Sequence, residues 1–175
     1  LAKPNGYVSA AIHAPSSGRV MAIEAMPTPH PSGLPQMSVV LDCDGEDRWI
    51  ERETVARYES MEPAALRTLI RNQGVVGLGG AMFPTAVKLN VERRNPLLLI
   101  NGAECEPYIT CDDALMCERA PELAAGIRLL MHSLSSDRCV IGIEDNKPEA
   151  ISAMRQATQA DSHIEVVAVP TRYPA

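Results

Sequence analysis

The fold class is α/β, with a small β module over residues 1–53 and a mostly parallel α/β domain over residues 54–175. Three patterns in the 175-residue chain predict it. Before residue 54 apolar and polar residues alternate in short runs bounded by Pro, Ser and Gly, the period of half-buried strands. After it, apolar stripes of helical period alternate with wholly apolar runs, as in parallel sheets crossed over by helices. Between the first helix and the first apolar run, Gly74, Gly77, Gly79 and Gly80 gather ahead of a single cation, Lys88.

Composition narrows the function classes. Hydrophobic residues are 46% and charged residues 22% of the chain, a globular balance that excludes general disorder. A net charge of -6 without a basic cluster, and an aromatic content of 3%, leave neither an electrostatic footprint nor stacking platforms for nucleic acid. No apolar run approaches the roughly 20 residues that span a bilayer. With no signal peptide in view either, a soluble chain without membrane insertion is expected. The five cysteines, at 43, 105, 111, 117 and 139, form no Cys-x-x-Cys pair and read as reduced thiols. Cys105, Cys111 and Cys117 are evenly spaced, but no local His completes a ligand set, so no metal is assigned. The start at Leu1 without Met and the end soon after a strand-like run suggest a piece of a longer protein.

In the β module the expected strands are Gly6–His13, Arg19–Glu24, Met37–Leu41 and Trp49–Ile50. Pro27, Pro29, Pro31 and Pro35 forbid a central strand or helix between them and imply an irregular loop. The stretch Ala11–Glu24 resembles the hairpin of biotinyl and lipoyl carrier domains, which implies a barrel-sandwich-like scaffold. A carrier needs a lysine at the tip of the preceding turn. That place falls near Ser9, and the module's only lysine is Lys3, so the scaffold is expected without the swinging arm. His13 and His30 have no Cys or carboxylate at ligand spacing and read as ordinary packing or exposed residues.

From residue 54 onward, Pro63 opens and Gly74 closes an amphipathic helix with Leu66, Leu69 and Ile70 on one face. Pro96–Asn101 is the first buried strand. A long helix follows from Asp113 or Pro121 to Leu134, with Asp112 and Asp113 as its expected caps. Cys139–Glu144 is the second strand. Asn146 and Glu149 suggest a capping box opening the next helix, and His163–Val169 is the third strand. In such sheets ligands bind beyond the carboxyl ends of the strands.

That rule marks three segments. In the Gly-rich stretch, Gly77, Gly79 and Gly80 let backbone amides approach a phosphoryl group, Pro84 and Thr85 suit a helix start, and Lys88 lies one turn on. The spacing is neither that of a Walker loop nor G-x-G-x-x-G, and a plain turn remains the alternative. The second segment, Asn101–Asp113, carries Glu104 and Glu106 around Cys105; a ligand-binding role and a solvated turn are both open for them. Those carboxylates disfavour a Cys105 thiolate. The third is Glu144–Asn146.

The run Gly77–Lys88 followed by Asn101-Gly102-Ala103-Glu104-Cys105-Glu106-Pro107 resembles the flavin- and NADH-binding subunit of respiratory complex I. With Ile100–Thr110, Ile141–Ala150 and the module at the front, the chain is more similar still to the C subunit of the bacterial ion-translocating Rnf (Rsx) electron-transport complex. The resemblance implies a Rossmann-like FMN-binding domain, truncated at its C-terminal side. Its FMN would take a hydride from NADH and pass electrons to 4Fe-4S clusters held by a cysteine-rich segment outside this chain. The partners implied are the other subunits, with the protein peripheral at the cytoplasmic face of the inner membrane. By position, Gly77, Gly79, Gly80 and Lys88 would face the flavin phosphate, and Phe83 the ring or the nucleotide. Asn101, Glu104, Glu106 and Glu144 would line the isoalloxazine and nicotinamide region, with Glu104 and Glu106 as the catalytic pair. A non-catalytic assembly scaffold is the rival reading. Leu78, Met82 and Ala103 stand where the complex I subunit has Arg, Gly and Asp. If position 82 needs φ > 0, Met82 costs about 1 kcal/mol or more.

Overall fold

The computed structural model describes residues 1–51, 54–55, 57–78, 81–91, 96–104, 106 and 108–172. The α/β fold class holds. By its internal contacts the chain forms two compact units: Leu1–Ala56 with Ile70–Thr85, and Arg57–Leu69 with Ala86–Ala175.

The first unit is built on an antiparallel hairpin, β1 (Gly18–Pro27) and β2 (Pro35–Cys43), paired from Gly18↔Cys43 to Pro27↔Pro35 with a bulge between Val20 and Ala22. Pro27 and Pro35 end the two strands, and the proline-containing stretch between them is the hairpin loop. Proline fits there because each strand of a two-stranded sheet is an edge. At the open end of the hairpin, Ser17 Oγ donates to Asp44 Oδ1 (2.6 Å), and Arg48 pairs with Asp44 (2.6 Å). The expected strands at Gly6–His13 and Trp49–Ile50 do not form. The first contributes one isolated bridge, Ala2↔Ile12, and the second is exposed coil. Period-2 alternation alone makes no strand without a partner, and the described residues form no closed barrel.

Helix α1 (Pro63–Asn72) begins and ends where Pro63 and Gly74 place it. Gly74 has φ +71°, and a Cβ there would lie 2.4 Å from the Ala11 carbonyl oxygen, so only glycine fits this exit. The single-turn helix α2 (Thr85–Lys88) follows the Gly-rich stretch.

In the second unit β3 (Leu98–Asn101), β4 (Cys139–Glu144) and β5 (Ile164–Val169) form a parallel sheet in that order. Helices α3 (Cys111–Glu118), α4 (Ala120–Leu134) and α5 (Pro148–Thr158) supply its core partners. Met116, Ile127, Ile151 and Met154 pack with Cys139, Ile141 and Ile143, alternate residues of β4 and therefore one face of the sheet. On the opposite parity Leu99 is 67% exposed, so β3 is not buried on both faces as its apolar run suggests. The expected single long helix is two. The chain breaks at Arg119 (φ -127°, ψ 25°), because Pro121 lacks the amide that would continue α3 and its ring crowds the preceding turn. The two helices begin at Cys111 and Ala120, close to the expected starts at Asp113 and Pro121. Helix α5 opens on Pro148 at its first position, with Lys147 as N-cap and no side-chain cap, so the Asn146–Glu149 capping box is not made. Among the described residues no helix is long and apolar enough to cross a membrane.

Candidate functional site

The expected site residues fall in both units. In the first, the Gly-rich stretch is closed on itself. Val76 bridges Pro84, the Gly77 amide donates to the Phe83 carbonyl (2.9 Å), and the Thr85 amide donates to that of Val75 (3.0 Å). The Gly77 amide is thus engaged within the loop. Gly79 and Gly80, the other two members of the expected cradle, lie outside the described residues. Met82 has φ +47° and is 64% exposed, so the conformation that favours glycine carries a large side chain. Phe83 is partly exposed beside it. The expected short helix does open at Thr85, and with its single turn it adds little macrodipole there.

The remaining expected residues belong to the second unit, most of them at the carboxyl ends of β3 and β4. Lys88 is exposed and has no ion pair among the described residues. Asn101 ends β3 with its side chain exposed, and its Oδ1 accepts from the Ala103 amide (3.1 Å). Next to it Gly102 is buried, its amide donating to the Gly142 carbonyl (2.8 Å). A Cβ at Gly102 would meet that oxygen at 3.0 Å and the Met116 sulfur at 3.1 Å. Close backbone approach therefore fixes how the chain leaves β3.

Glu104 sits in the middle of this turn and is 7% exposed. Its amide donates to Glu144 Oε2 (3.2 Å), and its own Oε1 accepts from the Asp112 amide (2.8 Å) in the first turn of α3. Its Oε2 lies 3.4 Å from Lys147 Nζ, which is also 3.4 Å from Asp113 Oδ2. Burial pushes the Glu104 carboxyl upward, but the Asp112 amide and the Lys147 ammonium outweigh it and hold the group below its ordinary value. Burial pushes Lys147 down, and Asp113 and Glu104 more than compensate, so its ammonium is held above its ordinary value. The cap of α3 is consequently Glu104, from outside the helix, and the expected side-chain caps Asp112 and Asp113 do not form. Glu106 is exposed, and its carboxylate has no partner among the described residues.

The structure thus brings Asn101, Glu104 and Glu144 together at one edge of the sheet, with Lys147, which residue spacing did not single out, and Asp113, expected only as a helix cap, as further members. One signal for Lys147 was available: a cation at the N-cap of a helix opposes the helix dipole, so another partner must hold it there. Glu104, Cys111 and Asp112 also place three potential ligand atoms close together, but the Lys147 ammonium stands against the same carboxylate.

Comparisons with known proteins match the chain in two parts, with the Gly-rich stretch of the first unit falling in the second part. The family model of the Nuo51 FMN-binding domain matches residues 70–175, and that of the RnfC barrel sandwich hybrid domain matches residues 1–46. Over 176 residues the chain is 49% identical to the C subunit of the ion-translocating oxidoreductase complex from Haemophilus influenzae strain PittEE, covering 100% of this chain and 27% of that one. It is 48% identical to the protein of the same description from Pseudomonas aeruginosa, covering 100% of this chain and 23% of that one. The chain therefore spans about a quarter of the length of these relatives. Among solved structures, an NAD+-reducing NiFe hydrogenase in the air-oxidized state aligns with a TM-score of 0.51 at 26% identity, covering 61% of this chain and 20% of that chain. With more than half of its residues inside the first family model and its whole length related to the C subunit of the ion-translocating oxidoreductase complex, the chain belongs to the Nuo51 FMN-binding domain family.

Proposed function

We propose that this chain supplies the flavin-holding part of an NADH-oxidising subunit in a membrane-associated, ion-translocating electron-transport complex. The observation that carries the reading is the FMN-binding domain match over residues 70–175, which takes in both the Gly-rich stretch and the turn after β3. The donor set fits such a group. Lys88, without an ion pair among the described residues, is a cation for a phosphate, and Asn101, whose Oδ1 is engaged, keeps its amide NH2 for the polar edge of a ring. When bound, FMN supplies an acceptor of a hydride that returns its two electrons one at a time.

The protein's own residues divide the remaining work. Lys88 would neutralise phosphate charge, with Gly77, Gly79 and Gly80 shaping the backbone around it, and Phe83 would cover the ring or the nucleotide. Asn101 would orient the ring's edge. Glu106, exposed and without a partner among the described residues, is the carboxylate free to face NADH, whereas Glu104 and Glu144 act by fixing the turn that presents Asn101 and Glu106. The other subunits are the partners, the 4Fe-4S clusters lie in the rest of the longer chain, and the protein is peripheral at the cytoplasmic face.

The test is titration of FMN into the full-length protein, wild type, Lys88→Ala and Arg138→Ala. Loss of a charge-assisted contact is expected to weaken binding by roughly 10- to 150-fold in Lys88→Ala and to leave Arg138→Ala unchanged. Equal dissociation constants would refute the assignment of Lys88. The rival scaffold reading draws on Met82, which places a long side chain on the glycine loop, and it is the one upheld if wild type binds no FMN.

A further inference from the structure

Lys147 stands where helix chemistry asks for another residue. It is the N-cap of α5, a place that favours Asn, Asp, Ser or Thr, and no side chain caps this helix. A cation there also opposes the helix dipole. A position that breaks a local rule without local gain is set by something beyond its own element. Here the turn after β3 sets it.

Three contacts close a ring between the ends of β3 and β4. The Lys147 amide donates to the Glu144 carbonyl (3.0 Å), the Glu104 amide donates to Glu144 Oε2 (3.2 Å), and the Lys147 ammonium reaches Glu104 Oε2 (3.4 Å). Among the described residues that ammonium is the one partner of this buried oxygen. The Lys147 side chain is 16% exposed and that of Glu104 3%, so the pair is shielded from the screening that weakens surface ion pairs. From Glu104 the path runs one residue back to Ala103, whose amide donates to Asn101 Oδ1 (3.1 Å). The side-chain amide of Asn101 therefore takes its orientation from this turn.

We propose that Lys147 is a positioning residue: from the N-cap of α5 it holds Glu104, and through Glu104 and Ala103 it sets the direction in which Asn101 presents its free NH2. This rests on the proposed function, because the ring whose polar edge Asn101 orients is taken from that reading. It brings the start of α5 into a site whose expected residues after β4 ended at Asn146.

The experiment removes the cation and spares the helix. Lys147→Asn supplies a good cap for α5, Lys147→Arg keeps the charge, and Arg155→Gln takes a cation from the other end of the same helix as the control. In the full-length proteins before FMN is added, native-state hydrogen exchange at the Glu104 and Asp112 amides is expected to speed up by about tenfold in Lys147→Asn, while the Ile141 and Ile143 amides of β4 do not change. Titration with FMN is expected to show about tenfold weaker binding in Lys147→Asn, recovery in Lys147→Arg and no change in Arg155→Gln. A double-mutant cycle with Asn101→Ala tells positioning from plain support: if Lys147 acts through Asn101, the two substitutions together cost clearly less than the product of their separate losses. Glu104→Gln, which removes the other half of the ion pair, takes the place of Lys147→Asn if that variant unfolds at the assay temperature. Unchanged exchange, unchanged FMN affinity, or losses that multiply in the cycle each overturn this inference alone. Wild type that binds no FMN overturns the proposed function together with it.

Discussion

Replacing Glu104 by Ala separates a structural carboxylate from a catalytic one. The side chain is 7% exposed, caps the Asp112 amide at 2.8 Å and faces the Lys147 ammonium at 3.4 Å. Removing a charged acceptor from the part-buried Asp112 amide costs roughly 1.5–3 kcal/mol, and because the helix cap is this same contact nothing further is added for it. For a chain of this size each kcal/mol moves the melting midpoint by roughly 2–4 °C, which predicts a fall of roughly 3–12 °C. Far-ultraviolet circular dichroism against temperature reads it. Glu104→Gln keeps a neutral oxygen for Asp112 and should lose clearly less. The pH dependence carries a sign. The native carboxyl titrates below its ordinary value of 4.5, so its stabilisation is complete above that pH and disappears as pH falls through the lowered native value. In Glu104→Ala this part of the acid limb should vanish. A Glu104→Ala protein that melts with the wild type and keeps its acid limb would refute the argument.

Three further outcomes follow from the same geometry. Met82→Gly, at φ +47° on an exposed loop, should stabilise the protein by about 1 kcal/mol, whereas Met82→Ala should not; a lower midpoint for the glycine variant in thermal melts would count against the strain. Gly74→Ala combines φ +71° with a contact of 2.4 Å to the Ala11 oxygen, and denaturant titration should find it clearly less stable than Gly126→Ala, where a Cβ meets nothing within 4 Å. Burial pushes the Cys139 thiol from 9.0 up to about 11, so it should resist alkylation in the native protein while exposed Cys43 and Cys111 react, as peptide mass mapping can check. The unfolded chain releases the Cys139 proton first, so its contribution to stability should fall as pH rises from 9.0 toward about 11.

What was legible in the sequence was local. Pro63 and Gly74 bound α1 because an N1 proline and a left-handed exit act within one turn. The parallel strands were visible as apolar runs, whereas Met82 was marked only through the resemblance to the complex I subunit, which has Gly there. Pairing was not legible: Gly6–His13 alternates like a strand, yet nothing in its own residues says whether another strand lies beside it. Glu104 stayed undecided between ligand and solvated turn for the same reason, since its deciding partner, Lys147, arrives from the far side of α4 and β4. The start of α3 was misplaced because Asp112 and Asp113 are good caps by type, whereas the helix begins at Cys111 and a buried carboxylate from the preceding turn accepts the Asp112 amide.

The break at Arg119 has a consequence for how the second unit opens. It leaves α3 with eight residues, too few to persist in water by themselves. Its start is tethered through the Asp112 amide to Glu104, and its buried residue is Met116, packed in the sheet's core. In native-state hydrogen exchange α3 should therefore detach as a unit of its own, before the fifteen-residue α4, and its amides should exchange together. The opening would uncover Met116 and release Lys147 from Asp113, so the turn that presents Asn101 would lose its anchor while the sheet behind it still held.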